Sequence, residues 1–102
     1  MSILHTVNKS PFESNSLESC FKFASKGGSV LMIEDGIYAA LKGTSAEAQV
    51  KAALDNLSVY VLGPDLKARG FNEDRLIDGV KVVDYAGFVD MAAENDKVQA
   101  WL

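Results

Sequence analysis

The sequence predicts an α/β protein with one open, mostly parallel sheet and helices on both faces. Short apolar runs alternate with segments of helical periodicity along the whole chain. One of these runs, at residues 29–33, is continuously apolar, as in a strand that is covered on both faces. With 102 residues and 48% apolar composition, the chain is long enough to bury a core but short for two domains. We therefore expect residues 1–102 to form a single domain.

The chain begins with a short β-compatible run at residues 3–7, and Ser10-Pro11 then breaks the pattern. A helix is expected to begin after Asn15, because Glu18 three residues later completes a variant of the capping box. Gly27-Gly28 is expected to end it. Four residues spaced i, i+3, i+4 and i+7 share its apolar face: Leu17, Cys20, Phe21 and Ala24.

Residues 29–33 read SVLMI, a run that predicts a second buried strand. Glu34-Asp35-Gly36 predicts a turn, and residues 37–41 begin a helix that stops near Gly43. Residues 44–57 predict a further helix. Its apolar stripe consists of Val50, Ala53, Leu54 and Leu57.

Residues 59–62 predict the third strand, and Gly63-Pro64-Asp65 turns the chain into a short helix through Arg69. Residues 71–79 form a polar connection that carries Leu76 and Ile77, and residues 80–83 predict the fourth strand. A last amphipathic helix follows. Its predicted apolar face consists of Tyr85, Phe88, Val89 and Ala92.

Composition excludes several classes of protein. The net charge is −4 and the ten basic residues are scattered, so we expect no direct contact with nucleic acid. No apolar stretch is long enough for a membrane span, and the first residues lack the pattern of a signal peptide, so we expect none. A single cysteine cannot form an internal disulfide, which favours the reducing cytoplasm. No glycine-rich phosphate loop is present, so we predict no nucleotide cofactor.

Three acids stand where predicted strands end, which is where parallel sheets gather ligands and chemistry. They are Asp35, Asp65 and Asp84. A carboxylate just before a helix usually accepts hydrogen bonds from free backbone N–H groups, so we expect these acids to cap helices or form turns. Without a histidine pattern nearby they make a weak metal site, and we predict no metal.

The only histidine, His5, lies in the first predicted strand with Ile3 and Val7 on its side. We expect a neutral, hydrogen-bonded histidine in the core or at the sheet edge. The alternative is a base that assists Cys20, for which a third orienting group is lacking in the sequence.

Cys20, the only cysteine, is the one candidate reaction centre in the chain. Its apolar helix-face neighbours favour a buried, inert thiol, because burial raises the pKa of a thiol. A thiol at the rim of that face would instead be within reach of a partner protein. Both interpretations stay open.

The chain resembles the DsrH/TusB family, the small subunits of the DsrEFH and TusBCD sulfur-relay complexes. The resemblance runs from Leu4-His5-Thr6 and Ser10-Pro11 to the tryptophan near the terminus. Between these ends it rests on four further motifs: Asp35-Gly36 with Ala39-Ala40, Asp65-Leu66, Ala68-Arg69-Gly70, and Asp84-Tyr85 with Phe88-Val89. With Cys20 in its first predicted helix, the chain resembles the DsrH branch of the family, which is associated with sulfur oxidation. In the TusB branch, whose complex passes sulfur toward 2-thiouridine in tRNA, this subunit can lack cysteine.

The resemblance implies a heterohexamer with two copies each of this chain, a DsrE-like (TusD-like) subunit and a DsrF-like (TusC-like) subunit. It also implies sulfur donor and acceptor proteins. The main persulfide cysteine of such complexes belongs to the DsrE-like subunit, in a loop after a strand. This chain has no cysteine in such a loop, so only Cys20 remains as a secondary persulfide carrier.

Two hypotheses follow. In the first, Cys20 carries sulfane sulfur as a persulfide, which requires an accessible thiolate. In the second, the chain is a structural subunit of the complex, and Val98, Trp101 and Leu102 are natural interface anchors. The same three residues could equally form a tail folded onto the chain's own core.

Overall fold

The computed structural model describes residues 2–101, within which five strands form one fully parallel sheet in the order β4-β3-β2-β1-β5. The strands are β1 (Ile3–Val7), β2 (Ser29–Met32), β3 (Ser58–Leu62), β4 (Lys81–Val83) and β5 (Lys97–Trp101). The α-helices are α1 (Ser16–Phe23), α2 (Glu47–Ala53), α3 (Gly63–Ala68) and α4 (Tyr85–Glu94). Glu34–Ala40 and Glu73–Arg75 form 3-10 helices. The predicted fold class is confirmed.

The strand order decides which face each helix covers. From β1 to β4 the chain steps in one direction across the sheet, so right-handed connections place α1, α2 and α3 on the same face. The step from β4 to β5 crosses the whole sheet in the opposite direction, which places α4 on the other face. Helices therefore lie on both faces, as predicted.

The core is divided unequally between these faces. Residues in register on parallel strands point to the same side of the sheet. On the side of α1, α2 and α3, the sheet contributes five buried residues to one large cluster: Val7, Val30, Met32, Val59 and Val61. The opposite side, which we call the α4 face, buries Leu4, Leu31 and Leu62 beneath a single helix.

The helix α1 is shorter than predicted and begins differently. Asn15 occupies the N-cap position, but its side chain makes no cap hydrogen bond, so the predicted capping box is wrong. The Ser14 hydroxyl instead accepts a hydrogen bond from the backbone N–H of Ser16 at 3.2 Å. The helix ends at Phe23 because Ala24 is already extended, and Gly27 forms a later turn with φ +87°. The predicted end at Gly27-Gly28 is therefore wrong as well.

The region between β2 and β3 also departs from the prediction. The predicted helix at residues 37–41 is a 3-10 helix that begins at Glu34. The predicted helix at residues 44–57 shortens to α2, because Thr44 and Glu47 hold the preceding turn. The Thr44 hydroxyl accepts from the Ala46 N–H, and the Glu47 carboxylate accepts from the Gly43 N–H. The predicted apolar stripe of this segment does pack on the core.

The strand β5 is absent from the prediction. It pairs with β1 along its whole length at the edge of the sheet, where four of its five residues are exposed. This exposed edge strand carries no continuous apolar run. Its signal in the sequence is the weaker alternation of Lys97 and Gln99 with Val98 and Ala100.

Candidate functional site

Cys20 lies in the middle of the core. The last turn of α1 presents it to the large cluster on the side of α1, α2 and α3, where it is 0% exposed. Leu17 from the same helix and Val50 from α2 belong to that cluster. The four residues of the predicted apolar face all pack on this cluster, although Ala24 lies just beyond the end of α1.

Burial determines the chemistry available to this thiol. Desolvation raises the pKa of Cys20 to about 12, because the thiolate loses its hydration in an apolar environment. Nucleophilic attack on a sulfur donor requires the thiolate, which is scarce at neutral pH when the pKa is so high. In this conformation Cys20 behaves as a small apolar side chain.

His5 is hydrogen-bonded to Trp101. The residue is 2% exposed, and its Nδ1 accepts a hydrogen bond from the Trp101 indole N–H at 3.1 Å. Phe23 packs edge-on against both rings, with centroids 6.1 Å from His5 and 5.6 Å from Trp101. Among the hydrogen bonds of residues 2–101, none joins His5 to Cys20. The prediction of a hydrogen-bonded core histidine agrees with this geometry.

Trp101 is thus held against the protein's own core. Trp101 is half-buried, and its bond to His5 ties β5 to β1 in addition to the strand ladder. Val98 remains 48% exposed, and Leu102 lies outside the described residues. The folded-back tail therefore accounts for Trp101, whereas Val98 stays free to contact another surface.

We expect the protein to lose stability as the pH falls below about 6.5, the ordinary pKa of histidine. Burial lowers the pKa of His5, so folding favours its neutral form. Neutral Nδ1 accepts the Trp101 N–H, whereas a protonated Nδ1 would itself be a donor. The stabilisation is complete above pH 6.5 and declines as the pH drops toward the lowered pKa. Urea unfolding at several pH values measures it.

His5→Gln is the control for this experiment, because glutamine does not titrate. The stability difference between the wild type and this variant should shrink below pH 6.5. A difference that stays constant with pH would contradict the assignment of a neutral, buried His5.

The three aspartates at the carboxyl edge of the sheet, Asp35, Asp65 and Asp84, have different hydrogen-bond partners. Asp84 caps α4, since its Oδ1 accepts from the Gly87 N–H at 2.7 Å. Asp65 accepts from the Glu34 N–H at 2.7 Å and so joins the loops after β2 and β3. Asp35 receives two bonds from the Arg69 guanidinium, at 3.1 and 2.9 Å. Asp84 thus caps a helix as expected, and Asp65 accepts a free backbone N–H at the first residue of the 3-10 helix. Asp35 pairs with Arg69 instead, and both pairings join the loops after β2 and β3.

The Asp65 bond supports an unusual backbone conformation. Glu34 has φ +49°, in the left-handed region that non-glycine residues rarely adopt, and its N–H is the donor to Asp65. Sequence reasoning missed Arg69 as the partner of Asp35, although both stand in motifs that carry the family resemblance. Within residues 2–101 no three histidine, cysteine, aspartate or glutamate side chains group as metal ligands would.

A crevice opens between the carboxyl ends of β3 and β4. The chain leaves β3 toward one face and β4 toward the other, which makes this a topological switch point. The cavity there has a volume of about 700 Å³. Its floor is apolar and includes Leu66, Phe71 and Val82, and its rim carries Lys67, Glu73 and Asp84. No thiol lies in the crevice, because the chain's one cysteine is in α1.

No helix within residues 2–101 has the length and apolar character needed to cross a membrane.

Comparison with known proteins places the chain in a family. A family model described as "DsrH like protein" matches residues 9–98. A protein named TusB from Erwinia tasmaniensis is 36% identical over 100 residues, covering 97% of this chain and 100% of that protein. A protein named TusB from Pectobacterium parmentieri is 31% identical over 99 residues with the same coverage.

Solved structures agree on the fold. The crystal structure of the ychN protein from E. coli superposes with a TM-score of 0.84, at 22% identity and 98% coverage of both chains. A protein of unknown function from Methanobacterium thermoautotrophicum superposes with a TM-score of 0.68, at 16% identity and 90% coverage of both. At these identities the likeness concerns the fold alone. The family model and the sequence relatives carry the assignment: the chain belongs to the DsrH family of DsrH-like proteins.

Proposed function

We propose that this chain is a single-domain, non-carrier subunit of a cytoplasmic sulfur-relay complex. It shapes the assembly, and partner subunits carry the sulfur. Its membership of the DsrH family supports the complex, because the resemblance to this family implies DsrE-like and DsrF-like partner subunits. The resemblance also suggests two copies of each chain, together with separate sulfur donor and acceptor proteins.

One observation carries the structural role: the only cysteine is fully buried, and its pKa is raised to about 12. A relay step transfers sulfane sulfur from a persulfide to an attacking thiolate. The attacking sulfur atom must therefore be exposed on the surface, where the donor persulfide can contact it. The loops where this fold presents reactive groups contain no thiol. Cys20 can become a secondary persulfide carrier only if α1 moves away from the core.

Sulfur oxidation is the pathway that we propose for the complex. Its support is Cys20 in the first helix, the feature that resembles the DsrH branch. Formation of 2-thiouridine in tRNA is the alternative, since the sequence relatives carry the name TusB. A strain in which the gene for this chain is deleted distinguishes the two pathways. Normal 2-thiouridine with impaired sulfur oxidation supports the proposal, and loss of 2-thiouridine contradicts it.

The structural role itself is tested by sulfur transfer through the reconstituted complex. We expect a complex that contains Cys20→Ala to transfer sulfur at about the wild-type rate, because alanine fills an apolar site without a thiol. Transfer should cease when this chain is left out. A Cys20→Ala complex that assembles fully but transfers no sulfur would contradict the non-carrier role.

A further inference from the structure

The helix α4 is apolar on its outer side. Seven of its ten residues are apolar, yet none of the ten is buried. It covers the α4 face with residues that are only partly buried: Gly87, Phe88, Met91 and Ala92. Tyr85 and Val89, which the sequence places on the buried face, instead point outward and are 59% and 66% exposed. Exposed apolar residues that cluster on one side and are bordered by polar residues are typical of a surface that contacts another molecule.

The outward residues form two parallel rows. Tyr85, Val89 and Ala93 follow one another at i, i+4 and i+8, and all three are exposed. One position further along the helix, Asp90 and Glu94 form an acidic row beside this apolar row. We call the two rows together the α4 stripe.

The charged residues in and around α4 are all acidic. Residues 84–96, which comprise α4 with its cap and the following turn, contain four acids and no basic residue. The remainder of the chain has ten acids and ten basic residues, so this short region carries the whole net charge of −4. The exposed Val98 of β5 points to the same side of the sheet, since it is in register with Leu4.

The acidic and apolar rows of the α4 stripe together favour one kind of binding partner. Phosphate backbones and anionic lipid surfaces are repelled by an acidic stripe. A second copy of the chain would bring another acidic row against the first, which is unfavourable. We propose that the α4 stripe docks against a different protein subunit, in an apolar groove edged with lysine or arginine side chains. This inference rests on the proposed function, in which the chain works within a complex of unlike subunits.

Co-purification with the DsrE-like and DsrF-like subunits of the same organism tests the surface. Val89→Asp places a charge in the apolar row, and Asp90→Lys with Glu94→Lys reverses the acidic row. Both changes are at exposed positions, so the fold should persist, which circular dichroism verifies. We expect each variant to weaken the assembly about tenfold or more. The wild-type complex should weaken with added salt, because salt screens complementary charges.

Matched controls lie elsewhere on the surface. Phe12→Asp changes another exposed apolar side chain, and Glu13→Lys with Asp55→Lys reverses two other exposed acids. These should leave assembly within about twofold, since surface positions outside an interface contribute little. If the α4 variants assemble like the wild type, the docking surface is wrong and the proposed function stands. If wild-type protein joins neither partner, the proposed function fails and the docking surface fails with it.

Discussion

Replacing Gly36 by alanine is expected to lower the free energy of unfolding by about 3 kcal/mol or more, a large share of a small domain's stability. A Cβ at this position would overlap the Val7 carbonyl oxygen and lie 2.9 Å from the Val7 carbonyl carbon. Neither atom can move away, because Val7 ends β1, which is paired on both sides. The same carbonyl also accepts the Ile33 N–H at 3.0 Å.

Gly43→Ala is the matched control. Gly43 has φ +83°, and a Cβ added there would meet no other atom within 4 Å. Alanine should therefore lower the free energy of unfolding only by the cost of its left-handed backbone conformation, about 1 kcal/mol. Gly36 is not among the glycines with positive φ, so the stability lost in Gly36→Ala comes only from the contact of the new Cβ with the Val7 carbonyl. Chemical denaturation of both variants gives the comparison. Equal losses of stability would mean that the loop after β2 does not pack against the end of β1.

Cys20 should react with thiol reagents about three orders of magnitude more slowly in the native protein than in the unfolded chain, at about pH 8. An unfolded cysteine has a pKa of about 8.5, whereas burial raises the pKa of native Cys20 to about 12. The thiolate fraction falls accordingly, and the surrounding core excludes the reagent as well. Labelling with a chromogenic disulfide in the presence and absence of guanidinium gives the two rates.

An exposed cysteine in the same helix provides the control. Lys22 has a side chain that is 76% exposed, so Lys22→Cys in a Cys20→Ser background should label nearly as fast as the unfolded chain. Native Cys20 that labels as fast as this control would show that α1 opens readily. That result would restore the carrier hypothesis for the isolated subunit.

The strands that the sequence predicted are those that carry apolar runs. The strands β1, β2 and β3 are largely buried, whereas β4 is an edge strand without a buried residue and is recognised by its valines. The order of strands and helices along the chain gives the parallel sheet. The edge strand β5 is exposed and leaves only a faint alternation, so it was missed. Hydrophobic patterns thus identify a strand that carries an apolar run, and an exposed strand without such a run is missed.

The last helix shows a second limit of periodicity. Tyr85, Phe88, Val89 and Ala92 fit a helical face, but the crossover from β4 to β5 turns Tyr85 and Val89 outward. The glycine at position 87 marks the true inner side, because its backbone packs against Val83 of β4. Periodicity recognises that a helix is apolar, whereas topology decides which residues it buries.

The candidate site was predicted in part. The apolar helix face favoured burial of Cys20 without deciding it, and the structure buries Cys20 among its helix-face neighbours. The pairing of Asp35 with Arg69 joins residues 34 positions apart, and it depends on β2 and β3 being adjacent. Only the strand order brings these two loops together, and the order is not contained in local patterns.

Mass-spectrometric mapping of persulfides on the assembled complex decides whether this chain carries sulfur. The complex of this chain with its DsrE-like and DsrF-like subunits is incubated with a sulfur donor, and the Cys20→Ser complex serves as the control. We predict persulfide on a partner cysteine and none on Cys20. A persulfide on Cys20 in the active complex, absent from the serine control, would contradict the non-carrier role.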